Sequence, residues 1–426
     1  MNDLFLEKNA QSGSSSEPAA PVAASPWRRW SRAFDFHNFT TCTAFTNAIW
    51  MVYLAGHGYS PLDLGLLEML FHVAKFVTEV PTGIFADMLG RRKSLVVYCA
   101  ILSLESLLFL APTPPLMILS FVLSGTAYAF RGGASEALLW YIAGKAEPDP
   151  ELQTRRYSRL VSRMYLVALI GEIIGTTSGG YMNTVLTTLP FIMRGLFALL
   201  GIIPLLFLPE QKVAESERTS ALRHFGRGIR VVWRSPALVG LLLISGLVDG
   251  CWQTIYYFYQ LNLHDLGFST TLIGLVVAAS SIMNFGFTAL APALMRWLKE
   301  RWLISLFVGS QVLGLVLMSL PQPWLSLFGY LVSFQASVAV LDPAISTYIN
   351  QRAPEAQRAT VLSLQTGLFS AVMIVLFPLF GLSVTAVPYR IVYLWTLVAL
   401  LLGALGILVL VFWLRARRPQ SSGEEQ

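Results

Sequence analysis

The sequence predicts an all-α membrane protein whose twelve transmembrane helices form two parallel six-helix repeats. Three observations carry that expectation. Of the 426 residues, 55% are hydrophobic and only 13% charged, with a mean hydropathy of +0.60. A soluble domain carries roughly 25% charged residues, so lipid must face most of this chain. Lysine and arginine recur in alternate loops only, and one short pattern occurs twice at corresponding places in the chain.

Taken in order, residues 1–27 are rich in Ser, Ala, Pro and Gln and lack the apolar stretch of a signal peptide. They read as a disordered cytoplasmic tail. A helix crosses the hydrocarbon with about 20 apolar residues. Turn signals and charge clusters place spans near 33–55, 62–86, 94–112, 116–143, 157–182, 188–208, 237–262, 270–295, 302–320, 324–350, 359–383 and 389–414. Short Pro-rich links such as Pro112-Thr-Pro-Pro115 and Pro321-Gln-Pro323 suit tight turns between antiparallel helices. The first bundle is expected over 28–208 and the second over 237–414, with a polar tail at 415–426.

Basic residues orient the chain. Arg28, Arg29 and Arg32 precede span 1, and every even-to-odd loop is basic: Arg91 to Lys93, Lys145 to Arg159, Lys212 to Arg234, Arg296 to Arg301, and Arg352 with Arg358. The opposite connections hold almost none, with Arg194 and Arg390 lying just inside the spans that follow. By the positive-inside rule both termini are cytoplasmic.

The halves echo each other. Gly58-Tyr-Ser-Pro-Leu-Asp-Leu-Gly65-Leu66 follows span 1, and Gly267-Phe-Ser-Thr-Thr-Leu-Ile-Gly274-Leu275 follows span 7. Between the halves, 209–236 reads as a cytoplasmic linker. Its segment 221–234 alternates basic and apolar residues at near-helical spacing, as an amphipathic helix on an anionic leaflet does.

Gly83-Ile-Phe-Ala-Asp87-Met-Leu-Gly90-Arg91-Arg92-Lys93 resembles the signature that major facilitator proteins carry between helices 2 and 3. The resemblance covers roughly 30–414. It implies the major facilitator fold, alternating access, and a conformational latch built from Gly83, Asp87, Gly90, Arg91 and Arg92. The alternative for this loop is a topology anchor, for which its three cations suffice. The corresponding loop of the second half, Ala293 to Arg301, lacks the Asp and Gly of that signature.

Span 5 carries Gly171-Glu-Ile-Ile-Gly175-Thr-Thr-Ser-Gly179-Gly180, similar to the antiporter motif of the drug:proton branch, with Thr176 where that motif has proline. Small residues at this spacing also serve ordinary close packing. Arg131, in Tyr128-Ala-Phe-Arg131-Gly-Gly-Ala-Ser135-Glu136, partly resembles the family's buried-arginine motif.

Charges inside the membrane cost on the order of 2.5–3.5 kcal/mol each even on the lenient insertion scale. Span 2 places Glu68, His72, Lys75 and Glu79 on one helical face. They are either neutralising pairs one turn apart or a proton relay through His72. Span 7 places Asp249, Gln253, Tyr256 and Gln260 on one face with no cation in the span, and a desolvated carboxyl there is able to hold a proton. In the family the first helix of each three-helix repeat lines the central cavity. Asp249 is therefore the leading candidate for coupling or cation recognition. Span 1 offers a milder stripe of Thr43, Asn47 and Trp50. Glu105, Glu172 and Asp342 are further buried acids, and Arg131 and Arg163 are candidate counter-ions.

The leading expectation is proton-coupled efflux of small hydrophobic or cationic compounds across a bacterial inner membrane. The alternatives are a proton- or cation-coupled importer of a polar metabolite, and a non-transporting receptor or scaffold. The expected partners are a small-molecule substrate, protons and membrane lipid, and a monomer is expected. Basic tracts interleaved with aromatics are absent, so nucleic acid is not expected. No nucleotide loop, metal-ligand spacing or nucleophile–base pair occurs, and Cys42, Cys99 and Cys251 all lie in apolar runs. No enzyme activity, cofactor or metal is therefore expected.

Overall fold

The computed structural model describes residues 26–210, 230, 232–354 and 357–417. Among these residues every regular element is helical. The twelve spans fall where the sequence places them, but four are interrupted. Span 1 is Trp27–Cys42 followed, after turns, by Trp50–Gly56. Span 4 is Pro114–Arg131 and Ala134–Ala146, broken at Gly132-Gly133, and span 6 is Leu189–Leu200 and Ile202–Leu205. Span 10 runs Pro323–Phe328, a π-helical turn Gly329–Phe334, and Gln335–Arg352. The uninterrupted spans are Pro61–Leu89 (2), Arg91–Leu108 (3), Pro150–Val185 (5), Pro236–Asp265 (7), Thr270–Trp297 (8), Glu300–Ser319 (9), Arg358–Ala386 (11) and Tyr389–Ala416 (12).

Eight of these, with spans 4 and 10 each taken whole, are long and apolar enough to cross a membrane on their own account. Spans 1, 2, 3 and 6 fall short for visible reasons. Span 1 is broken, span 6 is short, and spans 2 and 3 carry the acids and cations of the interior. Spans 2, 3 and 6 still turn apolar faces outward, with Phe76, Val80, Leu104 and Leu199 exposed.

The sequence echo is also a structural one. Gly58 and Gly267 both adopt left-handed backbone, with φ of 89° and 87°. Each is followed by a serine N-cap, Ser60 accepting from the Asp63 amide and Ser269 from that of Leu272. Gly65 and Gly274, the next matched pair, are where the halves meet. A Cβ on Gly65 would lie 2.5 Å from the Phe377 carbonyl oxygen of span 11, and one on Gly274 would lie 2.5 Å from that of Thr176 in span 5. The same two junctions recur one turn away, where Gly381 abuts Pro61 and Gly180 abuts Thr270.

These contacts all lie at the end opposite the basic loops. There one hydrophobic core joins both halves, including Trp50, Leu54, Phe109, Phe258, Phe377 and Tyr393. Toward the basic end the core divides. One cluster, around Tyr98 and Leu138, belongs to spans 1–6, and another, around Leu241 and Ile345, to spans 7–12. The molecule is therefore closed at one end and parted at the other. The linker expected at 209–236 and its amphipathic segment fall largely outside the described residues, as do most of the two tails.

Candidate functional site

A cavity of about 480 Å³ lies between the halves, beneath the shared core. That volume is within the range of small-molecule sites. Spans 1 to 6 supply most of its wall, and Gln253, Tyr257 and Phe369 contribute from the other half. Of the sequence candidates, Asn47, Trp50, Glu68, His72, Arg131, Glu172 and Gln253 line it. Lys75 and Glu105 also line it, and Trp50, Phe71, Phe109, Phe121 and Tyr128 give it an aromatic surface.

Asn47 is held where span 1 is unwound. There Thr43 turns its hydroxyl back onto the Phe39 carbonyl at 2.7 Å, and helix resumes only at Trp50. The glycines of span 5 permit this bend to lie flat against them. A Cβ on Gly171 would lie 3.0 Å from the Phe39 oxygen, on Gly175 2.5 Å from the Ala44 nitrogen, and on Gly179 1.8 Å from the Phe45 oxygen. The antiporter-like motif is thus a backbone-on-backbone seam between spans 5 and 1, continued by Gly180 onto span 8.

Half-buried beside this bend, Asn47 donates to the Tyr256 hydroxyl at 2.9 Å and accepts from Tyr257 at 3.2 Å. Glu172 completes the bridge, one turn below Thr176 on span 5. Its Oε1 accepts from Ser281 on span 8 at 3.1 Å and, at a longer 3.5 Å, from Tyr256. A cavity-lining carboxylate therefore joins the two halves at the closed end.

The span 2 stripe does not form the pairs its spacing offers. His72 leaves Nδ1 without a partner and packs its ring among Phe71, Phe369 and Phe377. No ion pair joins Lys75 to Glu79 among the described residues. Span 2 is pressed against span 11, and that aromatic packing takes His72 away from Glu68.

The counter-ions sort clearly. Arg163 pairs with Asp35 at 2.8 Å. Arg131 is satisfied without a carboxylate, donating to Asn38 at 3.4 Å and Cys42 at 3.3 Å and lying over the Tyr98 ring. Glu105 accepts from Ser120 at 3.3 Å and is within electrostatic reach of Arg194, which donates to the Tyr128 hydroxyl at 3.3 Å. Arg194 is only 7% exposed and lines the cavity. Reading it only as a topology marker missed it, although the cost of an arginine inside an apolar span was signal enough.

The span 7 stripe divides by depth. Gln253 reaches the cavity, Tyr256 bridges the halves, and Gln260 is buried with its amide on its own helix. Asp249 lies outside the cavity wall. It accepts from Ser245 at 2.8 Å, whose oxygen in turn accepts from Gln365 at 2.8 Å, and it is within electrostatic reach of Asp342 on span 10. Glu136 and Asp342 are exposed at the parted end, both within reach of Tyr165. The parted end thus presents Glu136 and Asp342 at the approach to a mixed, aromatic-walled cavity.

The loop after span 2 makes its contacts within its own half. Asp87 pairs with Arg91 at 2.7 Å, which reaches the Gly133 carbonyl, and Arg92 binds Glu210 at 3.2 Å and the Leu208 carbonyl at 3.1 Å. Gly90 takes φ of 112°, while a Cβ on Gly83 would meet nothing within 4 Å. No bond from Asp87, Arg91 or Arg92 to the other half is made among the described residues.

The sequence matches the Major Facilitator Superfamily profile over residues 36–378 and again over 265–426. It is 23% identical over 336 residues to the MFS-type transporter YxaM of Bacillus subtilis, covering 75% of this chain and 80% of that protein. It is likewise 23% identical over 317 residues to the quinolone resistance protein NorA of Staphylococcus aureus, covering 72% and 77%. The fold superposes on a variant of the nucleoside transporter NupG with a TM-score of 0.77 at 14% identity, covering 90% of this chain and 99% of that one. The D-xylose-proton symporter gives a TM-score of 0.66 at 16% identity, covering 94% and 99%. With the two echoing halves, the cavity between them and a profile match over nearly the whole chain, the protein belongs to the major facilitator superfamily of membrane transporters.

Proposed function

We propose that the protein exports small hydrophobic or cationic compounds in exchange for protons, with the basic end at the cytoplasm of a bacterial plasma membrane and the present conformation open to the inside. The observation that carries this reading is Glu172. Its carboxylate lines the cavity and also holds the halves together through Ser281 and Tyr256. Anything that competes for it acts on the closure of the outer end. Hydrogen bonds to an ionised carboxylate are about twice as strong as neutral ones, so the ionised acid favours the closed outer end. A cationic compound entering past Glu136 and Asp342 draws Glu172 off the two hydroxyls and releases that end. After the cation leaves, a proton from outside takes its place on the same carboxylate, so that the two are exchanged through one site, and proton loss to the inside restores the clasp. Resemblance to the antiporter motif and to the quinolone resistance protein supports the direction.

A second reading rests on the cations of the same cavity. Lys75, Arg131 and Arg194 suit an anionic or strongly polar metabolite, which would enter together with protons.

Tight inverted vesicles, acid inside and loaded with a pH-sensitive dye, separate the two. Under the export reading a lipophilic cation evokes proton efflux in the wild type, and Glu172→Gln abolishes it. Loss in Asp249→Asn with retention in Glu172→Gln would move the coupling site to the Ser245–Gln365 cluster. If no lipophilic cation evokes efflux from tight vesicles, while an added polar anion does move protons, the import reading replaces it.

A further inference from the structure

A second, larger hollow of about 610 Å³ lies away from the transport path, on the outside of the second half at the basic end, between spans 7, 9 and 12. Small residues line it: Ala237 on span 7, Gly240 where that span packs against Val411, and Ala404 on span 12, which leaves a trough that a larger side chain would fill. Its deeper walls are Ile244, Val308 and Ala404. From Pro236 to Ile244 it follows span 7 for about 12 Å at 1.5 Å per residue, enough for the upper part of an acyl chain.

The mouth is different. Lys299, Arg301, Arg352 and Arg415 surround it, against the single carboxylate of Glu300, which is already paired with Arg352. Lys299, Arg301 and Arg415 have no acidic partner among the described residues. Exposed Trp297, Trp302 and Trp413 lie at the same level, where indole rings mark the headgroup region of a bilayer. An apolar trough thus opens into the hydrocarbon and ends, at the headgroup level, in unpaired positive charge. Basic hollows between transmembrane helices on the cytoplasmic side suit anionic lipid headgroups.

We propose that this groove binds one anionic phospholipid, its phosphate held by Lys299, Arg301 and Arg415 and its acyl chain in the trough. The chain's own acidic end is a poorer occupant. Pro419-Gln-Ser-Ser-Gly-Glu-Glu-Gln426 has charge for the mouth but no large apolar side chain for the trough. The site needs neither a transport direction nor a coupling residue, so it stands apart from the function proposed above.

Native mass spectrometry of the purified full chain tests it, with phosphatidylglycerol or phosphatidylethanolamine of identical acyl chains added to the detergent. One phosphatidylglycerol is expected to remain bound under conditions that strip phosphatidylethanolamine. The triple variant Lys299→Gln, Arg301→Gln, Arg415→Gln is expected to weaken retention at least tenfold. Ala404→Phe, which fills the trough and keeps every cation, is expected to do the same, and deletion of 419–426 to change nothing. Melting temperatures without added lipid confirm that each variant is folded. Equal retention of the two lipids, or undiminished binding by either folded variant, overturns the proposal. So does binding that emerges only when the tail is deleted, which makes the tail the occupant.

Discussion

At Gly179 a methyl group would sit 1.8 Å from the carbonyl oxygen of Phe45, and the span 5 backbone is held there by Gly171 and Gly175 against span 1 and by Gly180 against span 8. Gly179→Val is therefore expected to lower stability by about 1–3 kcal/mol or more, the usual cost of overpacking, and to abolish transport. The control is Gly83→Ala, whose methyl meets nothing in this conformation. It is expected to melt no lower than wild type, since alanine is favoured over glycine in a helix by about 0.8–1.0 kcal/mol. If transport is nonetheless lost in Gly83→Ala, the glycine is needed for close approach in the other access state, as a latch requires. Undiminished transport leaves the loop as a topology anchor. The buried Glu105 and Arg194 give a second test at this scale. Arg194→Leu leaves Glu105 without its nearby cation and the Tyr128 hydroxyl without its donor, and is expected to cost about 1–3 kcal/mol. Adding Glu105→Leu is expected to recover much of that, read by thermal melting. No recovery would mean that Arg194 serves Tyr128 and not the acid.

Helices meet across the molecule through matched junctions, spans 2 and 11 on one side and spans 8 and 5 on the other. Gly65 and Gly274 hold equivalent places in the two echoing segments, and at each an added methyl would lie 2.5 Å from a carbonyl oxygen of the opposite half. Substituting either by alanine is expected to loosen the same end of the molecule to a similar extent. The readout is the rate at which a cysteine at Leu54, fully buried in the shared core, reacts with a membrane-impermeant thiol reagent from that end, which should rise several-fold in both variants. A rise in one variant only would mean that the junctions are not mechanically equivalent. The unwound part of span 1 is the other decision made at this scale. Its threonines bond their own backbone, the span 5 glycines accept the bend, and Asn47 is thereby carried to the opposite half.

The division of the core sets the state of the whole molecule. One apolar cluster spans both halves at the closed end, and two separate clusters sit at the parted end. Cys42 lines the central cavity, whereas Cys99 and Cys251 are buried. In the native sequence a maleimide should therefore label Cys42 from the basic side only: readily in inverted vesicles and at least tenfold more slowly in right-side-out ones. The reverse preference would contradict either the orientation or the resting state proposed here. Saturating substrate should protect Cys42 from the reagent.

Much of this was legible in the chain itself. Span positions and the basic loops follow from the cost of placing charge and unpaired backbone in hydrocarbon, a penalty each segment meets alone, so local sequence determines them. The duplication was visible for a similar reason: Gly58 and Gly267 must both turn left-handed and Ser60 and Ser269 must both cap, which are local demands on residue type. Partnership is different. Spacing alone offered Glu68 to His72 and set Asp249 at the head of a polar stripe. The structure instead packs His72 against span 11, gives Asp249 to Ser245, and lets Glu172 bridge the halves with Ser281, a residue no local pattern marks. Which charges meet depends on how spans far apart in sequence are rotated against one another, and that rotation is decided by the glycine seams and the shared core. The sequence determined how often the chain crosses and where its charge collects. Only tertiary packing decided which buried acid reaches both halves, because that requires two helices from different repeats to present their faces at the same depth.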